Sequence, residues 1–219
     1  MGDCVAGGDK ERFGNMGLYQ RHVLPHLLHL AMRQQQLTPF RRRIVGAAEG
    51  RVLEIGSGSG LNMPFYGPEV SSVIGLEPSP ELLGMARARA AAAPVPVELL
   101  EASAEALPLD AASIDTVVTT WTLCTIPDAA RALGEVRRVL KPGGALLFVE
   151  HGRAPEPGVA RWQDRLDPFW CRLAGGCHLN RKIDALIAGS GFRIDAMTHT
   201  RLPGPRTHTF LYEGRARPS

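Results

Sequence analysis

Hydrophobic positions change their period several times along the chain, and each change marks an element. From Tyr19 to about Val45 the period is helical. Val23, Leu27, Leu30 and Ala31 fall on one side, and Leu24 and Leu28 widen that face. Pro25 begins or kinks a helix there. Thr38-Pro39 marks a break, and Arg41 to Ala48 fits a second short helix. Short apolar runs then take over. Arg51 to Ile55, stopped by Gly56, predicts a buried strand, and Ser72 to Leu76 predicts another. Pro80 to Ala92 is Ala-rich, with Leu82, Leu83, Met85 and Ala86 at helical spacing and Pro80 suited to a first turn. Strands follow at Val97 to Glu101 and Ile114 to Thr119. Asp128 to Leu140 predicts a helix closed by Lys141-Pro-Gly-Gly144. Ala145 to Glu150 predicts a strand, Leu179 to Ser190 a helix ended by Gly191, and Phe192 to Thr198 and Thr207 to Glu213 two final strands.

Strands alternating with helices predict an α/β fold, a mostly parallel sheet with helices on both faces. The last two strands, joined by Pro203-Gly-Pro205, predict an antiparallel C-terminal pair. Gly152 to Cys177 fits neither pattern and forms an insertion that carries Trp162 and Trp170. The residues up to Lys10 are small, polar and Gly-rich, which suits a loose arm. The 219 residues then divide as one domain: a helical cap over 1–48, a core over 49–151, a substrate-cap insertion over 152–177, and the last helix and strands over 178–219.

Composition narrows the partners. Apolar residues are 44% and charged residues 21%, ordinary for a globular protein, and 25 Lys and Arg against 22 Asp and Glu leave +3. That balance gives no reason to expect nucleic acid. Cys4, Cys124, Cys171 and Cys177 form no C-x-x-C pair, so zinc spacing is absent and no metal is expected. No secretory start is legible, and the most apolar early stretch, Val23 to Met32, is half the length of a membrane span. A cytoplasmic protein with free thiols is expected.

The chemistry concentrates after the first strand. Glu54-Ile-Gly56-Ser57-Gly58-Ser-Gly60 is a glycine loop that lets a ligand approach the backbone. A dinucleotide oxidoreductase expects G-x-G-x-x-G there. This run is G-x-G-x-G, with an acid that would repel a pyrophosphate and suit a cationic group. Glu77 ends the second strand 21 residues after Gly56, where nucleotide folds grip a ribose. Ser103, Ala104 and Glu105 follow the third strand, and Thr119 to Asp128 follows the fourth.

In this order, the E-x-G-x-G-x-G run, strand-end Glu77, the Ser-Ala-Glu-x-Leu-Pro element, the strand around Asp115 and the Leu-Lys-Pro-Gly-Gly turn resemble the class I S-adenosylmethionine-dependent methyltransferases. The resemblance is dense from Arg51 to His151. It implies a Rossmann-like sheet of seven strands with the cofactor across its C-terminal edge. It implies that Glu54, Gly56, Ser57, Gly58 and Gly60 face the methionine and ribose. Glu77 with Pro78 would hold the ribose hydroxyls, and Ser103, Ala104 and Glu105 would flank the adenine. Thr120, Trp121 and Thr122 would line the methionine side, and Tyr19 would close over the cofactor. Leu166-Asp-Pro-x-Trp170, Gly176-Cys-x-Leu179-x-Arg181, Leu123-Cys124 and Glu150-His151 resemble more closely the methyltransferase-like enzymes acting on alkyl thiols. The core also resembles bacterial phosphatidylethanolamine N-methyltransferases and quinone-biosynthesis C-methyltransferases.

The expected activity is methyl transfer to a small acceptor, a thiol first, with S-adenosylhomocysteine as product. The alternatives are an amine or phospholipid headgroup, a quinone precursor, or a cofactor-binding module without turnover. In-line displacement needs a base only when the acceptor must lose a proton. His151, at a strand end, is the candidate base. Asp167 either orients His151 or caps a helix. Trp162, Phe169 and Trp170 form a substrate wall or pack the cap on the sheet. His22, His26 and His29 share a helical face without a carboxylate or cysteine beside them, which favours a solvated face over a metal site. No membrane span is expected. A peripheral lipid contact stays open, and oligomeric state is not legible.

Overall fold

In a computed structural model of the protein, the residues described are 17–219. The Gly-rich arm and Cys4 lie outside the described residues. A π-helical turn, Tyr19–Val23, leads into α1 (Leu24–Met32), and a 3-10 turn at Gln35–Leu37 leads into α2 (Thr38–Gly46). Pro39 lies in the first turn of α2, where its missing N–H costs nothing, so the helix starts earlier than the expected break. The core follows as β1 (Gly50–Ile55), β2 (Val70–Leu76), α3 (Pro80–Ala91), β3 (Val97–Leu100), β4 (Ile114–Thr120), α4 (Ala129–Val139) and β5 (Leu140–His151). It closes with α5 (Pro157–Leu173), α6 (Ile183–Gly189), β6 (Phe192–Arg201) and β7 (Phe210–Pro218).

The seven strands form one sheet in the order β3-β2-β1-β4-β5-β7-β6. The first five run parallel, whereas β7 lies antiparallel to both β5 and β6. Strand alternation feeds two cores. Leu53, Val117, Leu146 and Phe148 pack on one face with Leu133 and Val136 of α4 and Ile183 and Ile187 of α6. Val52, Val118, Leu147 and Val149 pack on the other with Phe40, Ile44 and Val45 of α2. Helices on both faces leave no open side to the central strands, which explains their near-continuous apolar runs.

Three elements depart from the pattern's prediction. Lys141 to Gly144 belongs to β5 rather than to a turn. Lys141 Nζ bonds both Asp115 oxygens at 2.8 Å, and Asp115 accepts the Arg51 N–H at 2.8 Å, so β1, β4 and β5 are tied together there. The helix expected from Leu179 starts only at Ile183. Leu179 N–H is taken by Asp167, and the Arg181 guanidinium reaches the carbonyls of Leu123 and Ile126, which holds this stretch as a loop. The insertion is largely α5, the longest helix described.

The cause of that last difference is an inverted amphipathic face. Ala160, Gln163, Asp167 and Cys171 point inward, while Trp162, Leu166, Phe169 and Leu173 point to solvent. Gln163 is satisfied inside: Oε1 accepts Ala154 N–H at 2.8 Å, and Nε2 donates to the Gly152 and Thr207 carbonyls at 3.1 Å. A helix that buries its polar stripe defeats a reading that places apolar residues inside.

The burial pattern yields a contrast in stability. Phe148, the largest fully enclosed side chain, is expected to cost about 3–5 kcal/mol as Phe148→Ala. Trp162, 56% exposed with Arg165 over its ring, is expected to change stability by less than about 1 kcal/mol as Trp162→Ala. Urea unfolding of both variants checks the difference.

Candidate active site

The C-terminal ends of β1, β2, β4 and β5 converge on one edge, where parallel α/β sheets bind ligands. The loop leaving β1 sets the geometry. Gly56 has φ +69°, and a Cβ there would run into the Thr122 hydroxyl from the loop after β4. Gly58 has φ +53°, and a Cβ there would meet open space, with only the Gly56 carbonyl at 3.9 Å. One glycine lets two loops touch, and the other lines a free cradle.

Glu77 stands across that cradle, 7% exposed. Its Oε2 accepts the Gly58 N–H at 3.0 Å and its Oε1 accepts the Ser79 N–H at 3.0 Å. A carboxylate offers about four acceptor positions. Two are used, and two remain for a vicinal diol. Burial lifts Glu77 to about 7, while those two backbone bonds hold it down. Ser57 Oγ and Asn62 Oδ1 are buried near this loop without a hydrogen-bond partner. The cradle, the half-used carboxylate and these unpartnered atoms fit S-adenosylmethionine, whose ribose Glu77 would hold and whose methionine chain would lie beside Ser57 and Gly58.

Pro78 begins the loop toward α3 and lines a cleft of about 320 Å³ with Arg21, Glu81, Glu101, Ala102 and Ser103. Ser103 Oγ accepts the Glu105 N–H at 3.2 Å. Ala104 and Glu105 are buried, and Glu105 Oε1 accepts the Asp128 N–H at 2.7 Å. Glu105 therefore ties the loop after β3 to the start of α4, whose cap is Asp128. Gly60 donates its N–H to the Ser57 carbonyl at 2.9 Å, which closes the glycine turn.

Glu54 sits behind the cradle. It is 1% exposed, Oε1 accepts Asn62 Nδ2 at 2.8 Å, and Oε2 accepts the Tyr66 hydroxyl at 2.7 Å. Asn62 also donates to Thr120 Oγ1 at 2.9 Å. Burial pushes Glu54 up to about 7 against the hydrogen bonds of Tyr66 and Asn62 and the charge of Arg41. The expectation that this acid suits a ligand cation is therefore answered by the protein's own Arg41, buried and stacked 4.8 Å over Trp121. Trp121 itself adopts φ +53°, unusual for a bulky residue, and packs against the cluster that holds Phe40, Ile44 and Val45 of α2. Asn62, Tyr66 and Arg41 carry no motif signal, and only the fold brings them to Glu54.

The N-terminal elements reach the same edge. Tyr19 OH donates to the Leu173 carbonyl at 3.0 Å, Arg21 pairs with Glu81 at 3.4 Å, and His29 Nδ1 lies 2.6 Å from Ser59 Oγ in the glycine loop. His29 thus leaves the supposed solvated histidine face to contact the glycine loop. Burial and the charges of Arg89 and Arg33 lower its pKa.

His151, 7% exposed at the end of β5, has Nδ1 3.9 Å from Cys177 Sγ, and Cys177 Sγ lies 3.7 Å from Cys124 Sγ. Contact with Cys124 draws Cys177 below the usual thiol value, and Cys124 is raised well above it by that contact and by burial. Asp167 lies inside α5 rather than at a helix start, and its partner is His178 Nδ1 at 2.9 Å, not His151. Its other oxygen takes the Leu179 N–H at 2.7 Å. Phe169 is 75% exposed and Trp162 faces solvent, so neither is a buried substrate wall, whereas Trp170 packs edge-on against His208 at 4.3 Å.

Comparison with known proteins agrees with this geometry. Residues 53–148 match the methyltransferase domain family. Over 178 residues the chain is 32% identical to phosphatidylethanolamine N-methyltransferase of Cereibacter sphaeroides, spanning 80% of this chain and 85% of that protein. The chain belongs to the methyltransferase domain family. It is also 37% identical over 138 residues to thiol S-methyltransferase TMT1B of Rattus norvegicus, spanning 61% of this chain and 56% of that relative. The chain thus spans little more than half the length of that relative. An S-adenosylmethionine-dependent methyltransferase from Mesorhizobium loti superposes with a TM-score of 0.61 at 22% identity, over 83% of this chain and 97% of that one, which supports the fold. Among the described residues, no helix of this chain is long and apolar enough to cross a membrane.

Glu54 generates a pH prediction. Its folded value near 7 lies above the ordinary 4.5, so the folded state holds the proton more tightly than the unfolded state. Stability is then lost as pH rises from about 4.5 through about 7. Glu54→Gln removes that loss, so its stability is expected to fall less steeply than the parent's over this range. Thermal melts across the range check the slope.

Proposed function

We propose that this protein transfers a methyl group from S-adenosylmethionine to a small thiol. The observation that carries the reading is the half-used Glu77 carboxylate facing the open cradle at Gly58, on the edge where His151 and two cysteines gather. S-adenosylmethionine supplies an electrophilic methyl on a sulfonium when bound there. Glu77 binds and orients through hydrogen bonds to a diol. Ser57, Ala104 and Pro78 shape the walls. Thr122, fixed by its N–H to Glu150 Oε1 at 3.1 Å, sets the distance between the cofactor loop and the acceptor side. His151, at the end of β5, would take a proton from an acceptor that had to lose one, and a thiol needs little such help because a small fraction is already thiolate at neutral pH. The named activity of the rat relative supports the thiol.

A second reading is favoured by one surface. Trp162, Leu166, Phe169 and Leu173 form an exposed apolar row on α5 flanked by Arg161, Arg165 and Arg172. Leu18, Leu27 and Leu30 are exposed on the neighbouring N-terminal segment. An apolar row edged by arginine suits an anionic lipid surface, which would present a headgroup amine as acceptor. The Cereibacter relative, whose name specifies phosphatidylethanolamine, supports it.

Turnover tests the first reading. S-adenosylhomocysteine is expected from S-adenosylmethionine with alkyl thiols, and silence with thiols alongside product from ethanolamine phospholipid vesicles would reverse the order of the two readings. Glu77→Gln is expected to weaken S-adenosylhomocysteine binding about 10–100-fold, the worth of hydrogen bonds to a charged group. In the parent, affinity is expected to fall as pH drops below about 7, where Glu77 takes a proton. Calorimetry across pH checks both. For the lipid reading, Phe169→Glu is expected to abolish flotation with anionic vesicles while leaving thiol turnover intact.

A further inference from the structure

Cys124, His151 and Cys177 come from three separate elements: the loop after β4, the end of β5 and the loop between α5 and α6. One donor atom from each lies within 4.8 Å of the others. Tetrahedral zinc, with Zn–S near 2.3 Å, places two sulfurs about 3.8 Å apart and a sulfur and an imidazole nitrogen about 3.6 Å apart. Here the sulfurs lie 3.7 Å apart, and Cys177 Sγ lies 3.9 Å from His151 Nδ1. A disulfide would need about 2.05 Å.

His151 itself is 7% exposed and turns Nδ1 toward Cys177 Sγ, so a ring nitrogen is enclosed with the two sulfurs. The surrounding loops are also held in place. His178 N–H bonds the Cys124 carbonyl at 2.8 Å, Arg181 clamps the carbonyls of Leu123 and Ile126, and Asp167 holds both His178 and Leu179. Donors fixed this way on both sides are preorganised for a ligand.

We propose that Cys124, His151 and Cys177 bind one thiophilic divalent cation of the zinc class, with a fourth position open to an external thiolate. Two thiolates and one imidazole around a dication leave the buried site neutral. Three protein ligands are the number of an open site rather than a closed structural one. An external thiol that binds there gives up its proton to solvent as its sulfur takes the fourth position, with no change of oxidation state. The cation site stands by itself. The open fourth position rests on the reading of the protein as a thiol methyltransferase.

The test starts from the full chain, stripped with a chelator and refilled with Zn²⁺ or Co²⁺. One metal per chain is expected. The Co²⁺ form should show thiolate-to-metal charge transfer and intense tetrahedral ligand-field bands. Cys177→Ser and His151→Ala should each weaken binding by more than about 100-fold, beyond what loss of an outer partner costs. Cys171→Ala should keep the metal. Absence of metal in the parent, or a Co²⁺ spectrum unchanged in both ligand variants, overturns the site. Addition of an alkyl thiol without S-adenosylmethionine should shift the Co²⁺ bands, and unmoved bands overturn the open position. Full thiol methylation by metal-free protein removes the metal's role and leaves the proposed activity standing. Stoichiometric metal with no thiol methylation does the reverse.

Discussion

Three carboxylates buried at one edge of the sheet govern how everything around that edge is arranged. Glu54 in β1, Glu77 just after β2 and Glu150 in β5 are each less than a tenth exposed, and burial lifts each to about 7. A buried carboxylate is tolerated only where donors come to it. Each therefore draws in chain from elsewhere: Glu54 takes Asn62 and Tyr66, Glu77 takes Gly58 and Ser79, and Glu150 takes Thr122. The loops are held by these demands as much as by their own turn chemistry. What the edge presents to a ligand is the unused remainder of the same acceptors.

The division of labour among the three follows from how fully each is satisfied. Glu54 has both oxygens occupied and a guanidinium nearby, so it is part of the frame. Glu77 is bonded only from backbone and keeps lone pairs toward the cradle, so it is the one suited to a ligand. Glu150 keeps one buried oxygen without a partner beside the cysteine and histidine cluster. The order of burial alone would not separate them, since all three are enclosed. The donor inventory does.

That distinction also explains how much could be read in advance. The glycine loop, Glu77 and the alternation of strands and helices are local patterns. The seven-stranded sheet with its antiparallel last pair was legible from them together with the family resemblance. Asn62, Tyr66 and Arg41 act on Glu54 from 8, 12 and 13 positions away, with no motif to announce them. Asp167 was visible as a residue but not as a partner of His178, because that pairing depends on α5 turning its polar stripe inward. The three cysteine and histidine donors lie up to 53 positions apart, so spacing rules for zinc loops could not bring them together. Local chemistry was readable, and convergence was not.

The inverted face of α5 links these parts. Gln163 and Asp167 spend their polarity on the backbone of neighbouring loops, and Asp167 thereby fixes the segment that carries Cys177. Tyr19 anchors the N-terminal segment to the last residue of the same helix. Thr122 touches Gly56 on one side and bonds Glu150 on the other, two residues before Cys124. Asp167 thus joins α5 to the segment that carries Cys177, and Thr122 joins the glycine loop to the strand end beside Cys124. The two sides of this edge are joined by packed, hydrogen-bonded chain. The helix that turns its polar stripe inward is thus the one that ties the N-terminal segment to the loop carrying Cys177.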